Sequence, residues 1–536
     1  MTIAVRMLLH DCVKCCILSQ YMQRSCTLGE IAELQELEPP SGPKKAVTQS
    51  LIRKVAGWLW LCPGKRSIQL TAAAMLASFA GGVAAAAGLQ PAQFSRITLD
   101  SGTRYQTIDS WDVYPRYWEH DKVNNRFDNS YAVHTDEISR YLVNEVGING
   151  ARVEIWSGLE NPTDNWSLFF SGKRTYEEDK PYRYLKINDN DDPFSVNPSG
   201  FQVSKFDHRV KTMVLPLKRA MEARGERLRV NVNYVDFAYK AKPSSLSHAE
   251  NPEEYAEIIL FYFNRLREEF GIVPDSLEIV LEPENTDDWR GREIGRAIMA
   301  VKTRLNSAGF DPEIVAPSTA FMPSATEYFD QMAEVPGAID ALDTFAYHRY
   351  GKTSVAYVKQ ILEWARRHGL KTAMLEKVGA DIDQLLEDLI VGQVSSWQQW
   401  ALAGLAEWND KGAFYLNVDM SDQANPRIMM ARNTFHLTQV FRHVRAGAVR
   451  IGTESNHADK TPVAFINADG SWAVTVRAKE TGGPLKIENL PAGHYRLRYI
   501  SEENAIEDWP PATVTADRLL EIELPGPGTI SIVTDK

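Results

Sequence analysis

The sequence predicts an α/β fold, a (β/α)8 (TIM) barrel followed by a C-terminal antiparallel β-sandwich. Three observations carry this. Eight short β-rich runs alternate with longer helical patterns between residues 108 and 445, as βα units closing into a barrel require. From residue 446 the pattern becomes short alternating strands broken by turns, as in a sandwich. The chain has 536 residues and is 44% hydrophobic, which supplies two sizeable cores.

In chain order, residues 1–64 hold all five cysteines, Cys12, Cys15, Cys16, Cys26 and Cys62, so neither a disulfide framework nor a cysteine-bound metal is expected beyond them. Residues 65–87 place Lys65 and Arg66 before an Ala-rich apolar run ending in small residues near Ala87, the layout of a secretory signal peptide. Residues 1–64 are then a mis-called or dispensable leader, and the mature chain is expected to be secreted or periplasmic. The run is too short and too mildly apolar for a stable membrane anchor. Residues 88–107 form a linker and the strand "FSRITLDSG", expected to join the sandwich.

The barrel strands are expected at "IDSWD", "GARVEIW", "RVNVNYVDF", "LEIVLEP", "EIVAPST", "LDTFAYHRY", "KTAMLEKV" and "GLAEW", ending near Asp112, Trp156, Phe237, Pro283, Thr319, Tyr350, Val378 and Trp408. Among the helices, "NPEEYAEIILFYFNRLREEFG" has Asn251 as N-cap, Pro252 at the first helical position and Gly271 as its stop. The polar excursion from Leu159 to Asp207 is long enough to imply a binding role. In residues 446–536, Asp469-Gly470 and Ala492-Gly493 lie between strand-like runs and are expected as hairpin turns.

Active sites of such barrels lie at the C-terminal strand ends. Those ends bring together Arg152, Glu154, Tyr234, Asp236, Glu282, His348, Tyr350, Glu376 and Trp408. Glu282, in "IVLEPEN", and Glu376, in "AMLEKV", end the fourth and seventh strands and would face each other across the mouth. Facing carboxylates suit glycosidic bond cleavage, one protonating the departing oxygen while the other attacks the sugar carbon or activates water. Trp111, Tyr114, Trp118, Trp156, Trp166, Tyr234, Trp289 and Trp408 are aromatic residues that could stack on sugar faces, and Arg152, His348 and Tyr350 could orient the nucleophilic carboxylate. Glu284 is the rival acid within the same motif. Arg152 has the alternative of pairing structurally with Glu154.

At these residues the sequence resembles the large retaining glycosidase clan built on (β/α)8 barrels, and within it glycoside hydrolase family 30. "LEPEN" and "MLEKVG" match the acid/base and nucleophile segments, and "AYHRYG" is similar to the His-x-Tyr segment of the sixth strand. "NVNYVDFAY", a helix at Ser396-Trp397-Gln398-Gln399-Trp400, and "HLTQVFRHVRAGAVRIG" extend the resemblance over residues 94 to 534. The specific signal is the ordered set of motifs. It implies a retaining β-glycosidase in which Glu376 is the nucleophile and Glu282 the acid/base. Trp111, Arg152, Trp156, Tyr234, Asn285, His348, Tyr350 and Trp408 are then expected to bind or orient substrate. The clan carries Asn directly before the acid/base, where its amide contacts the sugar 2-hydroxyl; Leu281 stands there instead, leaving Asn285 or Arg152 as candidates for that contact.

The other chemistries have little support. No zinc spacing, phosphate-binding Gly loop or Ser nucleophile elbow is present. The run Asn188-Asp189-Asn190-Asp191-Asp192 lacks the sixth-position Gly and twelfth-position Glu of a calcium loop and is expected to be solvated. The expectation is no metal and no cofactor. A net charge of −11 disfavours broad binding to nucleic acid or anionic lipid. A monomer acting on a carbohydrate substrate is expected; the rivals are a carbohydrate-binding pseudoenzyme, and a barrel enzyme of another chemistry such as a lyase.

Overall fold

The structure, a computed structural model, describes residues 94–237, 242–408 and 412–535, of which the side chain at 408 is excepted. The expected leader, signal peptide and cysteines therefore lie outside the described residues. Among the described residues no helix is long and apolar enough to cross a membrane.

Strand β1 (Ser95–Thr107) precedes eight parallel strands: β2 (Ser110–Tyr114), β3 (Gly150–Trp156), β4 (Arg229–Val235), β5 (Ser276–Glu278), β6 (Glu313–Phe321), β7 (Thr344–Tyr350), β8 (Lys371–Glu376) and β9 (Val394–Leu405). They pair in chain order, and β9 pairs with both β8 and β2, which closes the barrel. Seven of the expected runs fall on these strands; the eighth, "GLAEW", only touches the end of β9, since Ala406–Trp408 form a 3-10 turn beyond Leu405. β5 is shorter than expected because Glu282, at φ +47°, takes the left-handed region and turns the chain out of the ladder; Leu281 N–H still donates to Tyr234 O at 2.8 Å.

Another expectation about local structure fails here. The Ser396–Trp400 segment is not a helix but the first half of β9: the preceding helical segment stops at Gln393, at φ +51°, and the chain then extends between β2 and β8. Buried on both faces, this parallel strand has no polar alternation to distinguish it from a helix. Beyond the rim β9 also pairs with β10 (Phe414–Asp419), which pairs with β11 (Arg427–Met430), a ribbon not anticipated from sequence.

The helix after β4, α1 (Pro252–Phe270), stops at Gly271, which adopts φ +61°. Tyr255, Ile258, Ile259, Tyr262, Phe263 and Leu266 recur on its buried face at helical spacing. Glu254 and Glu257 are buried on the same helix, an unusual place for two carboxylates.

The remaining strands are β12 (Val449–Ser455), β13 (Lys460–Ile466), β14 (Trp472–Ala478), β15 (Gly483–Glu488), β16 (Gly493–Ser501), β17 (Ile506–Val514), β18 (Leu519–Leu524) and β19 (Gly528–Thr534). With β1 they form the nine-stranded sheet of the β-sandwich, in the order β17-β16-β19-β14-β13-β12-β1-β15-β18, antiparallel but for the β1–β15 pair. Ile97, Leu99, Ile451, Val474, Ile487, Leu497 and Ile532 contribute to its core. Asp469-Gly470 makes the expected turn between paired β13 and β14. Ala492-Gly493 does not, since β15 and β16 are not paired: the chain between them buries Leu490 and crosses from one part of the sheet to another.

Candidate active site

Side chains on a strand alternate between the barrel interior and the helix layer, and this parity decides which strand-end residues meet. On β3, Arg152, Glu154 and Trp156 share the inner face, as do His348 and Tyr350 on β7. On β8 the register shifts by one residue at Leu375, so that Tyr347 opposes Met374 while His348 opposes Glu376. This bulge gives Glu376 the same side as His348.

One oxygen of Glu282, one of Glu376 and a ring nitrogen of His348 all lie within 4.8 Å of one another. Glu376 is held from two sides: Arg152 Nη1 donates to Oε2 at 3.0 Å and the Tyr350 hydroxyl donates to Oε1 at 3.0 Å. The Arg152 guanidinium also reaches Glu278, Nη2 donating to Oε1 at 3.1 Å, and Leu375 O at 3.1 Å. Glu282 accepts from Asn285 Nδ2 at 2.8 Å on Oε2, and its Oε1 lies 3.0 Å from His348 Nδ1. Glu284 is no rival: its carboxylate accepts the backbone N–H groups of Ala320 and Phe321.

Burial raises the proton affinity of both carboxyls. At Glu376 the adjoining Arg152 cation and the Tyr350 hydroxyl act against burial, whereas Glu282 has an amide for its direct donor. Burial pushes His348 down to about 4. Two close carboxyls titrate as a coupled pair, and the cation beside Glu376 favours charge on that side.

A cavity of about 450 Å³ opens over the pair. Of the residues expected to bind substrate, Trp156, Asn285 and Tyr350 line it. Arg152 and His348 sit beneath as partners of the two carboxylates. Arg152 pairs with Glu278 rather than Glu154, and its use there leaves it unavailable for a sugar 2-hydroxyl. Trp111 and Tyr234 do not belong to the site, because parity turns both to the helix layer. Trp111 stacks on Phe441 and donates to Val444 O at 2.6 Å; Tyr234 packs on Tyr255 and Trp289, its hydroxyl 2.5 Å from His248 Nδ1. Trp118, Trp166 and Trp289 are likewise buried in packing. The Trp408 side chain lies outside the described residues.

The cavity also holds Glu154 and Tyr114, both expected near the strand ends, together with residues that sequence reasoning missed. Glu154 accepts from Tyr114, from Trp156 Nε1 at 2.6 Å and from Arg209 Nη1 at 3.0 Å. Arg209 comes from the end of the excursion after β3, and no sequence signal links it to β3. Arg116, Arg183, Tyr184 and Trp400 complete much of the wall, with Leu281, Val235 and Phe237 as its apolar part. Glu278 was legible in principle, since it lies four residues before Glu282 and shares its parity.

No family model and no curated protein sequence matches the chain. Solved structures do. The catalytic domain of GH30 xylanase C from Talaromyces cellulolyticus aligns with a TM-score of 0.58 at 15% identity, covering 82% of this chain and 100% of its own. A GH30 endoxylanase from Clostridium papyrosolvens gives 0.55 at 15% identity, with 82% and 100% covered. An endo-β1,6-glucanase gives 0.56 at 16% identity, with 83% and 96% covered. The chain therefore has the fold of these glycoside hydrolases.

Proposed function

We propose that this chain is an exported retaining glycoside hydrolase acting on β-linked glycans. The observation that supports it best is the distance between Glu282 and Glu376. A retaining pair stands about 5–5.5 Å apart and an inverting pair about 6.5–9.5 Å, because inversion must seat a water between base and sugar. One oxygen of each lies within 4.8 Å of the other, a close approach that is compatible with the retaining spacing.

In this reading the Glu376 carboxylate attacks the anomeric carbon as the glycosidic C–O bond breaks, and Glu282 delivers its proton to the departing oxygen. Water then attacks the glycosyl-enzyme ester, giving its proton to Glu282 and freeing Glu376. Arg152 and Tyr350 hold the nucleophile ionised and aimed, while Trp156, Tyr184 and Trp400 offer aromatic surface to sugar rings. Leu281 is buried in the wall, so the 2-hydroxyl contact falls to a polar group such as Asn285.

The test is to assay the purified chain on a panel of β-glycans and aryl β-glycosides, beside Glu376→Ala and Glu282→Ala. Turnover lost in Glu376→Ala for every substrate, yet retained by Glu282→Ala for aryl glycosides with good leaving groups, supports the roles. Glycan binding without turnover by the unaltered chain would favour the pseudoenzyme.

A further inference from the structure

We propose that Glu160, Asp189, Glu254 and Glu257, with Asn188, form a Ca2+ site that ties the long excursion after β3 to helix α1. This stands independently of the proposed hydrolysis.

The ligands come from three separate segments. Glu160 follows β3, Asn188 and Asp189 come from the middle of the excursion, and Glu254 and Glu257 stand three residues apart at the start of α1. No contiguous calcium motif exists, which explains why the 188–192 run was expected to be merely solvated. Asp191 and Asp192 are indeed exposed, but Asp189 turns inward.

One oxygen each from Glu160, Asp189 and Glu254 lies within 4.8 Å of the others. Oxygens bound to one Ca2+ at about 2.3–2.6 Å can be at most about 5 Å apart, so the spread fits a single ion. The hydrogen bonding is divided in a telling way. One oxygen of each of these three carboxylates has a partner: Asp189 Oδ2 accepts from Asn197 N at 2.6 Å and Asn190 Nδ2 at 2.9 Å, Glu160 Oε2 lies 2.5 Å from His248 Nε2, and Glu254 Oε1 is 3.4 Å from Asn188 Nδ2. The other oxygens, Glu160 Oε1, Asp189 Oδ1 and Glu254 Oε2, are buried with no donor to them, as is Asn188 Oδ1, and the Glu257 carboxyl lies within hydrogen-bond reach of that of Glu254. Glu257 and Glu160 are each 1% exposed, so solvent does not satisfy them. Acceptors that lack a donor on Glu160, Asp189 and Glu254, brought together from three segments, are a donor set for a hard cation, with Asn188 and Glu257 beside Glu254.

The Tyr234 hydroxyl on His248 Nδ1 orients that imidazole toward Glu160, the arrangement by which an outer hydrogen bond fixes a ligand. Oxygen donors alone exclude a preference for zinc, and a dehydrated, multidentate oxygen cluster suits Ca2+ better than Mg2+, which keeps its waters. Arg183 and Tyr184, which line the catalytic cavity, lie a few residues before Asn188 and would be steadied by the ion.

The experiment strips the full chain with EDTA and titrates Ca2+, following heat by calorimetry, melting temperature, and protease cleavage between residues 182 and 200. Saturable one-to-one binding, a higher melting temperature and slower cleavage are expected. Mg2+ should bind at least about tenfold more weakly. Glu257→Gln and Asp189→Asn should each weaken Ca2+ binding at least about tenfold; should one fail to fold, the other decides. No Ca2+ binding at millimolar concentration, Mg2+ binding as tight as Ca2+, or unchanged Ca2+ binding in the folded variants would overturn the proposal.

Discussion

The barrel buries two groups of carboxylates, and they are built differently. At the mouth, Glu376 and Glu278 share Arg152, and Glu282 has Asn285 and His348, so an internal cation and aimed donors accompany the buried acids. On the flank, Glu160, Asp189, Glu254 and Glu257 have His248 and a few amide groups, and several of their oxygens have nothing. Burying carboxylates is unfavourable in both places. The first group offsets it from within the chain, whereas the second is left with a deficit that an external cation would meet. The contrast separates a site organised to hold and move a proton from one organised to hold an ion.

The largest expected effect lies at the mouth. Glu376→Ala should lower kcat/KM by at least about 10⁴-fold on every substrate. Glu282→Ala should lose about 10²–10⁴-fold where the leaving group is poor, and far less where it is good. The pH profile sharpens the division. The proposed mechanism needs Glu376 ionised and Glu282 protonated, so activity should rise with the first deprotonation of the pair and fall with the second. In Glu282→Ala the alkaline limb should vanish for activated aryl glycosides; a persisting limb would take the proton away from Glu282.

The next effect has opposite signs in the two groups. Arg152→Ala strands Glu278 and Glu376 in the barrel, and urea unfolding should show a loss of about 3–5 kcal/mol. Glu257→Gln removes a charge from a group without a countercharge, and in EDTA it should gain on the order of 1 kcal/mol. A loss from Glu257→Gln under those conditions would show that its carboxylate is compensated after all, and the comparison would fail.

A pH titration of stability extends this. Burial and the neighbouring acids raise Glu257 from 4.5 to about 9. A raised acid favours the folded state fully below its unfolded value and loses that contribution as pH climbs through the folded one. The cation-free melting temperature should therefore fall between about pH 5 and pH 9, and saturating Ca2+ should flatten the slope. The smallest effects concern residues outside the catalytic cavity. Tyr234→Phe and Trp111→Phe should each cost about 1 kcal/mol of stability through a lost hydrogen bond while KM stays within about twofold.

Much of this was determined by the sequence alone. The order of the first seven β-rich runs, the change of pattern near residue 446, and Glu282 and Glu376 at the ends of the fourth and seventh strands follow from periodicity and local chemistry, which act over a few residues. Even the stop of α1 at Gly271 is local, because glycine adopts the left-handed conformation without strain. Tertiary structure decided what depends on parity and distance. It turned Trp111 and Tyr234 to the helix layer, placed Trp397 and its neighbours in a strand, and used a one-residue bulge at Leu375 to bring Glu376 round to His348. Arg152 with Glu278, Arg209 with Glu154, and Asp189 with Glu254 and Glu257 meet across 126, 55 and at least 65 residues of chain. A charge pattern reports that such groups exist; their partners are chosen when strands take register and helices pack, since electrostatic and hydrogen-bonding partners are set by distance in space rather than along the chain.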